Sequence, residues 1–403
     1  MSRHIHSSHT GSGPKVLHCL RAPVGGLFRH VRDLAKAQAE MGFRVGILCA
    51  NEPNDPLTVS RIADLEPYCS LGVTRLSLGR MPGISDAKAL LSASWLVRDL
   101  QPDVLHGHGA KGGLISRLVG APSHVARIYT PHGGTIHFSP TSLQGMVFGL
   151  AERIMMVRTH GLIFESGFAR SIFEERFGIG GDCAAVVYNG VTEEEFATIP
   201  LADNPADFLF LGEIRALKGI FTLLEAVKSV SAHRPISVVI VGAGPDEEAF
   251  RARIDELGLQ SLVRLLGTKP AREAFSLARA VVMPSHHDSF PYVALEAAAA
   301  GKPLIATRTG GIPEIFGSQA DQLVTPQSVE ELAASLMSFL EKPDAFFERA
   351  ELLRANVVSE FSVRRMALGV AKVYRRASLL RQLARSGKTD THFPVSNMDA
   401  VNE

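Results

Sequence analysis

The chain has 403 residues, of which 46% are hydrophobic and 21% charged, and its formal net charge is +1 at pH 7. A single hydrophobic core rarely grows to this length, so two domains of about 150–200 residues each are expected. The balanced charge offers no basic surface for nucleic acid, and that class of function is set aside. The four cysteines form no C-x-x-C pair and fall mainly in apolar runs, which is typical of reduced thiols in a cytosolic protein.

The N-terminal segment and the apolar runs indicate where in the cell the protein is expected to be. Residues 1–13 are polar and lack the apolar stretch of a signal peptide, which predicts a disordered lead-in and a cytoplasmic protein. No run reaches the roughly 20 apolar residues that a spanning helix needs. The segment 142–161 sets apolar residues beside Arg153 and Arg158. It is interpreted either as a helix that buries its apolar face in its own domain, which is favoured, or as one that contacts the inner face of the cytoplasmic membrane.

The first half of the chain alternates strands and helices. The apolar run VLHCL leads into a glycine loop, a helix with Leu27, Val31 and Leu34 at helical spacing, and the strand RVGILCA. This order predicts a right-handed parallel crossover. The runs PDVLHGH, HVARIYTPHG, GLIFES and AAVVYNGV continue as buried strands, so residues 14–195 are predicted to form one doubly wound α/β domain.

The alternation begins again after the polar stretch TEEEFATIPLADNPAD, a linker candidate. The strands DFLFLGEI, ISVVIVGAG, VRLLGT, AVVMPS and PLIATR predict a second doubly wound domain over residues 205–362. Residues 363–386 are predicted to form a helix long enough to cross between the domains, and residues 387–403 are predicted to be a flexible tail. Two such domains leave a cleft between the carboxyl ends of their strands, where ligands of α/β proteins bind.

Two sets of residues are candidates for binding an anionic group in this cleft. Gly25 and Gly26 lie where the first strand turns into its helix, so backbone N–H groups there can approach an anion at the positive end of the helix. Arg215 and Lys218 follow the first strand of the second half, where they can neutralise a diphosphate. The alternatives are a tight turn for the glycines and an exposed basic turn for the two cations.

A second candidate site is the stretch HHDSFPYVALEAAAAGKP, which follows the predicted strand AVVMPS. Asp288 lies in the loop and Glu296 about one turn into the next helix, so the two acids are expected to lie close together. A carboxylate on the first turn can accept both hydrogens of a ribose diol. The backbone N–H groups of Ser289, Phe290 and Tyr292 can hold phosphate or sugar oxygens. The alternative makes Asp288 a helix cap and Glu296 a partner of the helix dipole.

Histidines provide the last candidates. His132, in YTPHGG, follows an apolar strand and is expected to face the same cleft, where it can donate to a sugar hydroxyl or stabilise developing charge. His106 and His108 have a spacing that metal sites also use, but spacing places no third ligand beside them. No metal site is therefore predicted.

The block PSHHDSFPYVALEAAAAGKPLIATRTGGIPEIF resembles the signature of family 4 retaining glycosyltransferases, which have two Rossmann-like domains in the GT-B arrangement. The resemblance extends to GGLFRHVRDLAKAQAEMGFRV, DVLHGHG, TPHGG, VVYNGV and LGEIRALKGIFTLLEAV, and so covers nearly the whole folded chain. It implies transfer of a hexose-type sugar from a nucleotide-diphosphate donor to a saccharide or lipid-linked acceptor, with retention of configuration and without a metal or other cofactor. The apolar and basic mix of HFSPTSLQGMVFGLAERIMMV suits a lipid-linked acceptor, and synthesis of a cell-surface polysaccharide is the pathway that this suggests.

The resemblance also assigns roles to the candidate residues. Glu296 is expected to bind the donor ribose, and Asp288, with backbone amides of the loop, to meet the transferred sugar. Arg215 and Lys218 are expected to hold the diphosphate. Gly25 and Gly26 are expected to let the diphosphate approach the backbone. His132 is expected to contact the sugar near its anomeric carbon.

Four positions depart from the family pattern. Asp288 stands where the family usually has Glu, Glu213 stands where most members have Arg, and Asp-Ser-Phe-Pro replaces Glu-Gly-Phe-Gly. Two other functions stay open. One is a nucleotide-sugar epimerase, which has a similar two-domain architecture and a nucleotide-diphosphate site. The other, suggested by the departures at Asp288 and Glu213, is a non-catalytic sensor or scaffold that binds nucleotide sugars.

Overall fold

The computed structural model of the protein describes residues 13–79, 83–133, 142–178 and 184–386. Nearly all of the predicted lead-in and the whole predicted tail lie outside the described residues, as does Cys183. The other three cysteines are free and buried, as their apolar sequence context predicts.

The first sheet is parallel throughout and follows from nearly continuous apolar runs in the sequence. Its strands have the order β3-β2-β1-β4-β5-β6-β7. Strands β2 and β3 are added on one side of β1 and strands β4 to β7 on the other, so the strand order reverses between β1 and β4. All five residues of β4 and all five of β5 are buried, as expected for strands covered on both faces. The seven strands seen in the described residues are β1 (Lys15–Cys19), β2 (Arg44–Ala50), β3 (Val73–Leu76), β4 (Val104–His108), β5 (Ala126–Thr130), β6 (Gly161–Phe164) and β7 (Ala184–Val186).

Helices cover both faces of this sheet. On one face Phe28, Val31 and Leu34 of the first helix pack against β1 and β2. On the other face Ala93 and Val97 pack with Ile115 against β1 and β4. The helices of this half are α1 (Gly25–Glu40), α2 (Pro56–Ala63), α3 (Ile84–Leu100), α4 (Gly109–Leu118), α5 (Leu143–Met156) and α6 (Gly167–Phe177).

The second sheet repeats this design with five parallel strands in the order β10-β9-β8-β11-β12, and its reversal lies between β8 and β11. The four residues of β9, VVIV, are all buried. The strands are β8 (Ala206–Leu211), β9 (Val238–Val241), β10 (Val263–Leu265), β11 (Ala278–Met283) and β12 (Leu304–Ala306). The helices are α7 (Ile220–Ser231), α8 (Glu247–Leu257), α9 (Ala271–Ser276), α10 (Tyr292–Ala299), α11 (Ile312–Phe316), α12 (Val329–Glu341) and α13 (Pro343–Glu360).

The last helix, α14 (Val363–Arg385), returns the chain to the first domain. Its residues Met366, Val370 and Tyr374 are buried in the core that α1 forms with the first sheet. The two crossings between domains run side by side, because the Val191 N–H donates to the Phe361 carbonyl at 2.9 Å. The C-terminal helix therefore completes the core of the N-terminal domain.

The favoured interpretation of α5 as a helix with a buried apolar face is wrong. Met146, Leu150 and Ile154 are 55%, 62% and 62% exposed. The physical reason is that a buried ion pair takes part of the inner side of the helix, beside the buried Met155: Glu152 accepts from Arg117 at 2.7 Å, and both side chains are almost fully buried. Among the described residues, no helix combines the length and apolar character that crossing a membrane requires.

The pair formed by Arg117 and Glu152 predicts a large loss of stability when one partner is neutralised. Glu152→Gln leaves the Arg117 guanidinium buried without its counter-charge, and the free energy of unfolding should fall by about 3–5 kcal/mol. Urea denaturation followed by circular dichroism measures the change. The matched control is Glu174→Gln, which removes the exposed pair with Arg170 and should cost less than about 1 kcal/mol. Equal losses in the two variants would contradict this account.

Candidate active site

The candidate residues meet because of where the two sheets reverse. Ligands of doubly wound proteins bind beyond the carboxyl ends of the strands at the reversal. Gly25 and Gly26 follow β1, Lys218 follows β8, and Asp288 follows β11, so each comes from a strand at a reversal. Together these residues line a cleft of about 2100 Å³, here called the interdomain cleft, which also includes His132, Arg215 and Glu296.

A lysine and an aspartate form the centre of the second domain's wall of this cleft. Lys218 Nζ lies 2.6 Å from Asp288 Oδ1. The other carboxylate oxygen of Asp288, Oδ2, is buried and has no hydrogen-bond partner among the described residues. An acceptor left unpaired in this way costs about 1–3 kcal/mol, which a ligand hydroxyl would recover. Arg215 lies nearby at the edge of the cleft, half exposed and 3.7 Å from Glu213.

Glycines determine how the backbone approaches this centre. Gly25 has a φ of 70°, and an added Cβ would meet no atom within 4 Å, so the backbone at the start of α1 is open to the cleft. A Cβ at Gly310 would lie 1.4 Å from the Asp288 carbonyl oxygen. The loop that carries Asp288 is therefore held against a backbone position that only glycine can occupy.

Two aromatic side chains of the loop after β11 are buried by packing. Phe290 is buried and stacks on Tyr188 with ring centroids 5.3 Å apart. Tyr292 is also buried, and its hydroxyl has no partner among the described residues. The Ser289 carbonyl accepts from the Gly311 N–H at 2.6 Å. These contacts fix the loop ahead of α10.

An arginine that the sequence interpretation did not single out bridges the two domains. Arg29, on α1, forms an ion pair with Glu296 of α10 and lies 2.6 Å from Glu195 Oε1. Its guanidinium carbon also lies 4.3 Å from the centre of the Tyr292 ring. The carboxylate predicted to bind ribose is thus paired with a cation from the opposite domain. No local sequence pattern indicates this pair, because the two partners are 267 positions apart.

His132 is in the cleft wall, as expected from its place after β5, and it belongs to a cluster of histidines that spacing could not reveal. Its φ of 50° is uncommon for a residue with a side chain. Burial and the charge that His30 would carry hold the pKa of His132 well below its usual value. Two overlapping groups of three bring ring nitrogens within 4.8 Å of one another: His18, His106 and His108, and His30, His108 and His132.

The glycines after β4 do not form a second anion-binding loop. A Cβ at Gly112 would lie 2.0 Å from the Cys19 carbonyl, and one at Gly113 would lie 2.3 Å from the Tyr129 ring. These two positions allow α4 to pack closely on the sheet. Lys111 binds Asp86 with its ammonium group at 2.6 Å.

A buried carboxyl is a further member of the cleft wall that the sequence interpretation missed. Glu165 directly follows β6, and its Oε2 has no partner among the described residues. Burial raises the pKa of Glu165 to about 7, and the nearby Glu314 carboxylate adds to the shift. Glu314 itself comes from the second domain and accepts from the N–H groups of Gly167 and Phe168. The available signal was an acid immediately after an apolar strand.

This raised pKa of Glu165 predicts a pH dependence of stability. The native state keeps a proton that the unfolded chain releases between the ordinary glutamate pKa and about 7, so wild-type stability falls as pH rises through that window. Glu165→Gln lacks this slope. Relative to the wild type, its free energy of unfolding should increase by up to about 3 kcal/mol between pH 5 and pH 8.

Urea titrations at several pH values measure the difference between Glu165→Gln and the wild type. Glu341→Gln is the matched control, because Glu341 is exposed and folding barely desolvates it. Its difference from the wild type should not change with pH. Parallel pH profiles for Glu165→Gln and the wild type would show that Glu165 is not held protonated.

Comparison with known proteins agrees with this architecture. Residues 24–195 match the sequence model of Glycosyltransferase Family 4, and residues 191–357 match that of Glycosyl transferases group 1. A curated relative, the glycogen synthase of Mycobacterium tuberculosis, is 28% identical over 386 residues, which are 88% of this chain and 92% of that protein.

Two solved structures show the same fold. Sucrose-phosphate synthase from Thermosynechococcus elongatus superposes with a TM-score of 0.75 at 21% identity, covering 93% of this chain and all of that one. Anabaena HepE in complex with UDP and glucose superposes with a TM-score of 0.74 at 18% identity, covering 90% and 99% of the two chains. The two family matches divide the chain between the two domains described above. The chain belongs to the family 4 glycosyltransferases and has their GT-B fold.

Proposed function

We propose that this glycosyltransferase moves a hexose-type sugar from a nucleotide-diphosphate donor to a saccharide or lipid-linked acceptor, with retention of anomeric configuration. The observation that carries the proposal is the arrangement at Asp288. One carboxylate oxygen holds Lys218, and the other is buried without a partner in the described structure and lies in the cleft wall. A sugar hydroxyl would satisfy that oxygen while the ammonium group beside it meets the phosphates.

The donor diphosphate would lie between the two domains. Lys218 and Arg215 supply positive charge from the second domain, and the open backbone at Gly25 and Gly26 supplies N–H groups from the first. Charge on the diphosphate grows as it leaves, so these groups stabilise the transition state more than the bound donor. Glu213, beside Arg215, is half exposed and solvent screens its charge, so the guanidinium can still serve this role. With these charges in place, the proposed reaction needs no metal ion.

Donor binding would exchange one partner of Glu296 for another. In the described structure Arg29 occupies this carboxylate from the opposite domain. A ribose diol offers two hydroxyl hydrogens to the same oxygens. Arg29 would keep Glu195 as its counter-ion during the exchange. The carboxylate is therefore paired both with and without the donor.

Retention follows if the acceptor attacks from the face that the diphosphate leaves. The bond between the anomeric carbon and the phosphate oxygen breaks, the acceptor oxygen bonds to that carbon, and the acceptor proton passes to the departing phosphate oxygen. His132 would contact the sugar near the anomeric carbon. Among the described residues that line the cleft, we assign none as a nucleophile for a covalent intermediate, and a trapped glycosyl-enzyme adduct would contradict this route. Closure of the domains would exclude water from the transition state.

The acceptor side is proposed to meet a lipid-linked sugar at a membrane surface. α5 exposes Met146, Leu150 and Ile154, and Arg153 is exposed on the same helix. Apolar side chains flanked by arginine suit the boundary of an anionic bilayer. Polysaccharide synthesis at the cell surface, a pathway that uses such acceptors, is the setting this surface supports.

A thermal-shift screen against UDP, GDP, ADP and their sugar conjugates tests the donor site. A ligand that binds only the folded state raises the unfolding temperature. We expect one nucleotide to stabilise the wild type and to lose at least about tenfold in affinity with Glu296→Ala, because a charged hydrogen-bonding partner of the ribose is removed.

Arg29→Ala is the matched control for Glu296→Ala. It breaks the same interdomain ion pair but keeps the carboxylate, so the nucleotide shift should persist. Loss of the shift in both variants would assign Glu296 to domain contact rather than to ribose. If no nucleotide shifts the wild type at millimolar concentration, a donor site is absent. A changed nucleotide sugar released without any acceptor would instead indicate an epimerase.

Co-sedimentation with lipid vesicles tests the acceptor side. Wild-type protein should sediment with vesicles that contain anionic lipid, less so at high salt, and should lose most of this binding in Leu150→Asp/Ile154→Asp. Leu352→Asp is the control, because Leu352 is 65% exposed on α13 in the other domain. Wild-type protein that stays in the supernatant at low salt would overturn the membrane proposal and leave the donor site untouched.

A further inference from the structure

Five histidines lie beneath the cleft wall of the first domain. The rings of His18, His30, His106 and His108 are buried, and that of His132 reaches the cleft. Burial is the largest cause that lowers the pKa of each of them. All five are therefore neutral at physiological pH, and each ring carries one hydrogen and one bare nitrogen.

A buried glutamine determines where the hydrogen of the first ring lies. The Gln38 amide nitrogen donates to the Tyr374 hydroxyl at 3.3 Å, which leaves its carbonyl oxygen to face His18. His18 Nε2 lies 2.8 Å from that oxygen and must donate to it. Because the ring is neutral, His18 Nδ1 is bare and can only accept.

A neutral ring has one nitrogen that donates and one that accepts, so the direction of donation at His18 also determines that at His108 and His132. His18 Nδ1 lies 2.9 Å from His108 Nε2, so His108 donates there and keeps a bare Nδ1. His108 Nδ1 lies 3.1 Å from His132 Nε2, so His132 donates in turn. His132 Nδ1 is consequently bare, and it has no hydrogen-bond partner among the described residues.

We propose that His18 and His108 are positioning residues that hold His132 as its Nε2–H tautomer, so that the bare Nδ1 of His132 accepts a hydrogen bond from a hydroxyl of the transferred sugar. The inference rests on the proposed function and adds a specificity rule to it. An acceptor-only nitrogen selects a sugar with a hydroxyl at that place, because closing the cleft over an analogue without the hydroxyl would leave the lone pair unpaired and out of reach of water.

The distances favour this chain over a metal site in the same cluster. A metal bound by His30, His108 and His132 would need lone pairs on all three rings. The close approach of His108 Nδ1 and His132 Nε2 is that of a hydrogen bond, so one of these nitrogens carries the hydrogen between them. His30 donates through Nδ1 to Asn189 and has a bare Nε2 without a partner in the described structure. His108 Nδ1 and His132 Nε2 therefore occupy each other, and His30 Nε2 without them does not hold a metal ion.

Nitrogen NMR of protein labelled with ¹⁵N histidine tests the tautomer without any substrate. Ring nitrogens with and without a hydrogen resonate in separate ranges, and His132→Asn identifies the signals of His132. We expect wild-type His132 to have a hydrogen on Nε2 alone. A hydrogen on Nδ1, or averaged signals from both tautomers, would overturn the proposal. So would stoichiometric uptake of Zn²⁺ that shifts the signals of His30, His108 and His132 together.

Two substitutions at His108 test the effect on the reaction. His108→Leu removes the acceptor of the His132 hydrogen, and kcat/KM for donor hydrolysis should fall roughly tenfold to a hundredfold. His108→Asn keeps an acceptor oxygen near the former Nδ1 and should restore most of that loss. The exposed His233→Asn is the control and should match the wild type.

The outcomes at His108 separate this inference from the proposed function. Equal losses in the two His108 variants, with unchanged thermal stability, would overturn the positioning role. If the wild type binds and hydrolyses no donor, the proposed function fails. The NMR result then still shows whether the histidine chain has the stated direction.

Discussion

The position of the site depends on one constraint, the parallel pairing of every strand in both sheets. Parallel pairing sends all carboxyl ends to one edge of a sheet, and a reversal of strand order opens a crevice at that edge. Here the reversals lie between β1 and β4 and between β8 and β11. The glycine loop, the Lys218 turn and the Asp288 loop are therefore neighbours, although about 260 positions separate the first from the last.

The elements of the fold could largely be predicted because their signals are local. Runs such as VVIV are apolar throughout, and a buried parallel strand requires that. Strand β3 was missed because its four residues, VTRL, are only partly buried at the sheet edge and carry a weak pattern. The orientation of α5 was predicted wrongly because part of its inner side is taken by a buried ion pair with Arg117, a residue of another helix.

The residues of the candidate site likewise fall into those with a local sequence signal and those without one. Asp288 and Lys218 could be singled out because each follows an apolar strand. The Arg29 pair and the histidine cluster could not, because their members come from distant elements and meet only when the sheets are assembled. His106 and His108 were judged by their spacing alone, and spacing contains no information about His18 or His30. The sequence pattern does not predict charged and polar contacts between distant segments.

The anchoring of α5 has a consequence for how this protein can change over evolution. Its attachment to the domain lies on the inner side, through Glu152 with Arg117 and Tyr129. The outward residues contribute little to stability, so they are free to vary while the helix stays in place. A lineage could therefore acquire a new acceptor surface by exchanging outward side chains. The donor-binding half of the chain would not need to change.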